Sequence, residues 1–245
     1  MRVLLLCGLA VSTAWTNFRK SPLPREYPFH TIEMSPFHPK IHTLSNIGET
    51  GKIHASAAHI ATKIIDVVAY QGRDIRSEIA HELMREVGDV SVVDIGCSVG
   101  MFTSALWMAG FTQLTGLDSS HEMLAFATNR LDSDVDLMLG NAGISVPPAD
   151  VYVCGFVMHE LPAVARKAIL HNTYRKLPKG GLLLIVDIST SYVPRETMLQ
   201  GEPFCEEYLE EFQRELNETR FHVTSKMWID DHVVTYWCRK YGVLN

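Results

Sequence analysis

The chain has 245 residues, enough to bury one full core without stapling, and 47% are hydrophobic against 20% charged. With 22 Lys and Arg against 28 Asp and Glu, the formal net charge is -6, and no basic run tracks a phosphate backbone; this argues against a nucleic-acid partner. The scattered Cys7, Cys97, Cys154, Cys205 and Cys238 form no zinc-type spacing, so they are expected as buried small apolar residues in a reduced compartment, with no metal.

Residues 1–14 carry Arg2, an apolar run from Val3 to Val11, and Ser12 and Ala14 in cleavage-site spacing. This is the layout of a secretory signal, too short to span a bilayer. Residues 15–50, beginning WTNFRKSPLPREYPFH, are rich in Pro and Ser/Thr and predict an extended leader or linker. The pair resembles the two-part leaders of some algal plastid precursors, which implies an organelle or secretory route. The alternative is a hydrophobic helix packed on a cytoplasmic protein. His38 and His42, the nearest approach to a metal-ligand pair, fall in this stretch and predict surface imidazoles.

Residues 51–90 predict a helical cap. Ile53, Ala57, Ile60, Ile64, Val67 and Val68 fall near one face of a first helix; Ile75, Ile79, Leu83 and Val87 repeat the pattern before Gly88 stops it. From residue 91 to 245 the texture alternates. VSVVDI, TQLTGLD, VDLML, VYVCGF and LLLIVDI are short β-type runs, and helical segments lie between most of them. That is the signature of an α/β, doubly wound, mostly parallel sheet. The tail differs: EEYLEEFQRELN predicts a helix with Tyr208, Leu209, Phe212 and Leu216 inward, and two further strands meet across Asp230 and Asp231 as an antiparallel hairpin.

VVDIGCSVG ends a strand and opens a helix, where a doubly wound sheet binds ligands. Gly96 permits a sharp turn, Gly100 lets helix and strand approach, and Ser98 is tolerable if its φ is negative. Asp118 ends the next strand 24 positions after Asp94, near the interval of about 20 expected for a carboxylate that grips ribose hydroxyls. Met101 stands where a dinucleotide loop would place its last glycine, and an acid at the strand end suits a cationic amino-acid moiety better than a diphosphate. S-adenosylmethionine is therefore favoured over NAD.

DIGCSVG, GLDSSHEML, GNA, VMHELP and RKLPKGGLLLIVD, in that order between Val92 and Asp187, resemble the successive motifs of class I S-adenosylmethionine-dependent methyltransferases of the small-molecule type. The resemblance implies a seven-stranded, Rossmann-like sheet with an antiparallel C-terminal hairpin. It assigns Asp94, Gly96, Cys97, Ser98 and Gly100 to the methionine end of the cofactor. It implies Asp118 for the ribose, Ser119 and Met123 for the adenosine surround, and Asn141 with Ala142 beside the adenine. Cys154, Gly155 and Phe156 would border the methionine moiety. Ser98 and Asn141 depart from the family's usual glycine and aspartate; the Ser98 hydroxyl is expected on the cofactor carboxylate and the Asn141 oxygen on the adenine amine.

Methyl transfer is an in-line displacement that rests on positioning and needs no metal or covalent nucleophile. If the acceptor must lose a proton, His159 is the first candidate base and Glu160 the second, with an orienting role the alternative for His159. Asp187 would bond substrate or cap a turn. Tyr70 would be either a lid aromatic over the cofactor or core, and Trp107 and Met108 core. Arg73 and Arg195 are candidates to meet a small carboxylate acceptor. The rivals are a non-catalytic cofactor-binding partner subunit, a protein methyltransferase, and an NAD dehydrogenase.

Overall fold

The computed structural model describes residues 25–26 and 46–241. The signal-like residues, His38 and His42 lie outside them. The chain folds as β1 (Arg25–Glu26), α1 (Gly48–Val68), α2 (Ile75–Val87), β2 (Val92–Ile95), α3 (Met101–Ala109), β3 (Leu114–Asp118), α4 (His121–Ala127) and β4 (Asp136–Leu139). Then follow β5 (Val151–Gly155), a 3-10 turn (Met158–Glu160), α5 (Ala163–Lys176), β6 (Leu182–Ile188), α6 (Glu196–Gly201), α7 (Cys205–Asn217), β7 (His222–Ile229) and β8 (Val233–Arg239).

The sheet order is β1-β4-β3-β2-β5-β6-β8-β7. Seven strands make the expected Rossmann-like sheet, and two-residue β1 adds a parallel edge beside β4. From β4 to β6 every pair is parallel, and β8 runs antiparallel to both β6 and β7. Because side chains alternate across a strand, central strands must feed two cores. Ile95, Cys154, Leu183 and Ile185 pack toward α5 and α7, whereas Val92, Val153, Leu184 and Val186 pack toward α2 and α3.

Local signals explain the helix ends. Asp74 caps α2 by accepting the Ser77 amide at 3.1 Å, and Gly88 ends it with φ 72°. Ile75, Ile79 and Leu83 are fully buried, as their spacing predicts. In α7, Tyr208, Phe212 and Leu216 are buried too.

One stated expectation fails, and two helices depart from a simple apolar-inward arrangement. The apolar stripe of α1 does not face the core: Ile53, Ile60, Ile64, Val67 and Val68 are 44 to 68% exposed. Met108, expected in the core, is exposed, and Trp107 is half-buried, because the inward face of α3 is taken by Phe102, Ala105 and Leu106. Glu215 is buried on the apolar side of α7, since Arg166 meets it there in a two-pronged ion pair with both side chains withdrawn from solvent (Nε–Oε2 2.8 Å, Nη2–Oε1 2.7 Å). Arg166 Nη1 also donates to the Leu161 carbonyl at 2.5 Å, so this pair fixes α7 to the start of α5 and to the end of the Met158–Glu160 turn.

Candidate functional site

The chain runs outward from β2 to β4 and then returns to β5 on the other side of β2, so the sheet's switch point lies between β2 and β5. At such a point the loops after both strands diverge and leave a crevice. Here it is a cavity of about 1020 Å³, at the upper end of the usual range for small-molecule sites.

The loop after β2 is tightly wound. Gly96, Ser98 and Gly100 have φ values of 69°, 50° and 80°. A Cβ on Gly96 would meet Val157 at 2.6 Å, and one on Gly155 would meet the Phe102 ring at 2.6 Å, so both glycines bring backbone where no side chain fits. The positive φ of Ser98 corrects the expectation of a negative one. A serine in the left-handed region is strained, and here two contacts hold it: its amide donates to Asp118 Oδ2 at 2.8 Å and its hydroxyl points to Met123 Sδ at 3.5 Å. The hydroxyl is thus turned toward Met123 rather than poised for a cofactor carboxylate.

Asp118 takes the Ser98 amide on one oxygen and the Ser120 amide on the other, both at 2.8 Å. Each oxygen keeps a second lone pair, which is the acceptor set a ribose diol requires. Burial pushes this carboxyl up to about 6, against the pull of the amide donors from Ser120 and Ser98 and with the help of the Glu160 charge.

Of the residues expected around the cofactor, Tyr70, Gly96, Cys97, Ser98, Asp118, Ser119, Met123, Asn141, Ala142, Gly155 and Phe156 line the cavity. Asp94, Gly100 and Cys154 stand behind the wall. Asp94 is buried and accepts the Thr103 hydroxyl at 2.6 Å, which ties β2 to α3, and burial pushes its carboxyl up to about 7. Gly100 serves as the left-handed entry to α3 beside Leu131. Cys154 is fully buried in the core against α5, with its thiol pushed well up by burial. Asn141 Oδ1, expected for the adenine amine, already accepts the Gly143 amide at 2.8 Å and pins its own turn.

His159 and Glu160 also line the cavity, on the turn after β5. Asp187 hangs that turn from β6: its Oδ2 accepts the Met158 amide at 2.9 Å and its Oδ1 the His159 Nδ1–H at 2.5 Å. On the other ring nitrogen, Nε2, Glu202 Oε2 stands at 3.2 Å, within ion-pairing reach but without the alignment of a hydrogen bond. Burial alone would lower the imidazole pKa; the Asp187 charge and hydrogen bond, with Glu202, outweigh it and hold the pKa well above its ordinary value. Its carboxylate neighbours therefore favour the imidazolium form of His159. Asp187 itself is fully buried and outside the cavity wall, which makes it a turn-holder and not a substrate contact.

The opposite wall is aromatic and contains residues the sequence did not reveal. Tyr70 stacks on Phe156 at 6.0 Å and meets His232 edge-on at 5.3 Å, and Tyr192 stacks on His232 at 4.4 Å. Tyr70 is thus both almost fully buried and a wall residue. Phe156 holds a positive φ of 59° beneath the Arg76 guanidinium, 4.8 Å from its ring. Arg76 pairs with Asp66 at 2.7 Å in the cavity wall. Of the two expected arginines, Arg195 lines the cavity, whereas Arg73 is drawn off by Glu78 and the Trp228 carbonyl. The signal for Arg76 was present: it lies three and four positions before buried Ile79 and Ala80. Glu202, Tyr192 and His232 lie in or beside turns, where no periodicity marks an inward side chain.

The crevice at the switch point, the wound loop after β2 and the carboxylate ending β3 define a class I, Rossmann-like methyltransferase fold. Residues 92–181 match the family model described as "Methyltransferase domain". In sequence, a carboxy-S-adenosyl-L-methionine synthase of Chromohalobacter salexigens is 36% identical over 106 residues, covering 38% of this chain and 38% of that protein. One from Psychrobacter arcticus is 27% identical over 107 residues, covering 39% of this chain and 40% of that protein. The chain thus spans well under half the length of these relatives.

Among solved structures, the mitomycin 7-O-methyltransferase MmcR superposes with TM-score 0.57 at 20% identity, covering 78% of this chain and 57% of that one. Phosphoethanolamine N-methyltransferase 2 of Haemonchus contortus, in complex with S-adenosyl-L-methionine, gives 0.53 at 14%, covering 67% and 53%. At these identities the likeness is one of fold. The donor set fits the cofactor: a carboxylate with free lone pairs, backbone amides in a wound loop, and a cavity of sufficient size.

Proposed function

We propose that the protein transfers the methyl group of S-adenosylmethionine to a small-molecule acceptor. The observation that carries this reading is the continuity of one cavity of about 1020 Å³, from the Gly96–Val99 loop and Asp118 to the wall of Arg76, His159, Tyr192 and Glu202. The cofactor supplies an electrophilic methyl on a sulfonium centre. In this reading Asp118 holds the ribose, Ser119 and Met123 flank the adenosine, Asn141 and Ala142 border the adenine, and Gly96–Ser98 with Gly155–Phe156 surround the methionine end. Such fixed contacts align the displacement and exclude water.

His159 takes a proton from the acceptor only after losing its own, so a base role turns on as pH rises. Glu160, in the same wall, is the second base candidate. The leader-like residues 1–14 support delivery to an organelle or the secretory route.

The sequence match to carboxy-S-adenosyl-L-methionine synthases, together with the guanidinium of Arg76 in the wall, favours a second reading, formation of a carboxylated cofactor. The test of both is calorimetry with S-adenosylhomocysteine, then incubation of the protein with methyl-labelled S-adenosylmethionine and cell extract. Label in small metabolites supports methyl transfer. Label in macromolecules overturns a small acceptor, carboxylated cofactor in the mass spectrum selects the second reading, and absence of binding sinks both.

A further inference from the structure

A helix that caps a domain ordinarily turns its apolar stripe inward, because apolar surface left in water carries a free-energy cost. Helix α1 does the reverse along its C-terminal half. Ile60, Ile64, Val67 and Val68 are 44, 47, 67 and 68% exposed and, with the stem of Lys63, form an open furrow on the outer face. This spacing places them one above another along the helix. A contiguous exposed strip of this kind marks a binding surface more often than chance packing.

Its place identifies the occupant. Ile64 and Val68 line both the furrow and the cavity, so furrow and cavity share a rim. Val193, 85% exposed, is a further apolar residue in the cavity wall. The polar groups lie deeper, at buried His159 with Glu202 against it. The cavity is thus charged inside, and its mouth carries the apolar Ile64, Val68 and Val193 beside exposed Arg195.

We infer that the acceptor is an amphiphile: its reacting polar end enters toward His159 and Glu202, and its alkyl body leaves through the mouth and lies along the α1 furrow. This inference rests on the methyl-transfer reading and names the acceptor class for that same cavity. It explains why a helix that covers the cofactor crevice keeps its apolar residues in solvent: they meet the acceptor's chain.

The test is a fluorescence titration of the full chain, saturated with S-adenosylhomocysteine, using two probes with the same head: dansylglycine and 11-(dansylamino)undecanoic acid. The long probe is expected to bind at least about tenfold more tightly, since its additional methylenes lie on apolar surface. Ile60→Asn and Val67→Asn, both outside the cavity wall, are expected to remove most of that difference while calorimetric affinity for S-adenosylhomocysteine stays the same. Equal binding of the two probes, or long-probe binding untouched by either variant, overturns the proposal. Equal probe binding with a shift from dimer to monomer in those variants assigns the furrow to a second copy instead. Failure of S-adenosylhomocysteine to bind is read separately by calorimetry, and that outcome removes the methyl-transfer reading itself.

Discussion

The donor half of the cavity and the acceptor half are built from different materials. Around Gly96–Val99 and Asp118 the wall is largely backbone, held by short local bonds such as those from the Ser98 and Ser120 amides, and it comes from two consecutive strand ends. The other half is assembled from long side chains far apart in sequence: Arg76 from α2, Tyr192 after β6, Glu202 after α6, and His232 from the last hairpin. A backbone-built half tolerates few substitutions and serves one ligand; a side-chain-built half can be re-lined without disturbing the sheet. The molecule thus separates a fixed grip from an adjustable one.

Because the two halves are separate, substitutions in one should leave the other unaltered. The largest effect is expected beneath the acceptor half. Glu215→Leu removes the two-pronged buried partner of the Arg166 guanidinium and leaves it only the Leu161 carbonyl and a longer 3.4 Å contact to half-exposed Glu207, at a cost of about 3 to 5 kcal/mol in denaturant unfolding. A loss under 1 kcal/mol would mean that α7 does not depend on this pair. Next comes Asp118→Ala, expected to weaken S-adenosylhomocysteine roughly a hundredfold, about 3 kcal/mol by calorimetry, without altering probe binding at the mouth.

The same residue gives a pH signature. Asp118 is an acceptor on both oxygens only when ionised, so affinity is full above its value of about 6 and falls as pH drops through it. Asp118→Asn should flatten that dependence, and an unchanged profile would assign the titration to another group.

A smaller shift tests His159. Removing the neighbouring negative charge with Glu202→Gln lowers the imidazole pKa, so the rising limb of the turnover-against-pH profile should move down by about one unit while cofactor affinity is unchanged. No movement would exclude Glu202 as the group that holds that proton. Smallest of all, Ser98→Gly relieves a left-handed serine and should add up to about 1 kcal/mol of stability, measured by thermal unfolding.

The legibility of the sequence divides along the same line. The sheet, its hairpin and the donor loop were readable because each is a local pattern: a hydrophobic period, a glycine turn, an acid at a strand end. Asp94 and Cys154 were placed correctly on their strands but assigned to the cofactor, because a strand's pleat decides which neighbour faces the crevice and the motif alone does not state it. The acceptor wall was largely illegible. Glu202 and His232 reach it only through tertiary packing, and Arg76 lines it where Arg73 was expected, because Glu78 and the Trp228 carbonyl draw Arg73 away. The α1 stripe shows the limit of the same signal, because period identifies an apolar face without saying what covers it.

The contact between Gly155 and Phe102 has a consequence for how such a protein can change over generations. A Cβ at position 155 would meet the Phe102 ring at 2.6 Å, so alanine there requires that ring to move aside or residue 102 to become smaller. Shrinking Phe102 first opens a void in the core behind the cofactor crevice and lowers stability, and the later substitution at 155 refills it. A route through this pair passes through a weakened intermediate, which gives the floor of the crevice a historical inertia that the adjustable wall facing it does not share.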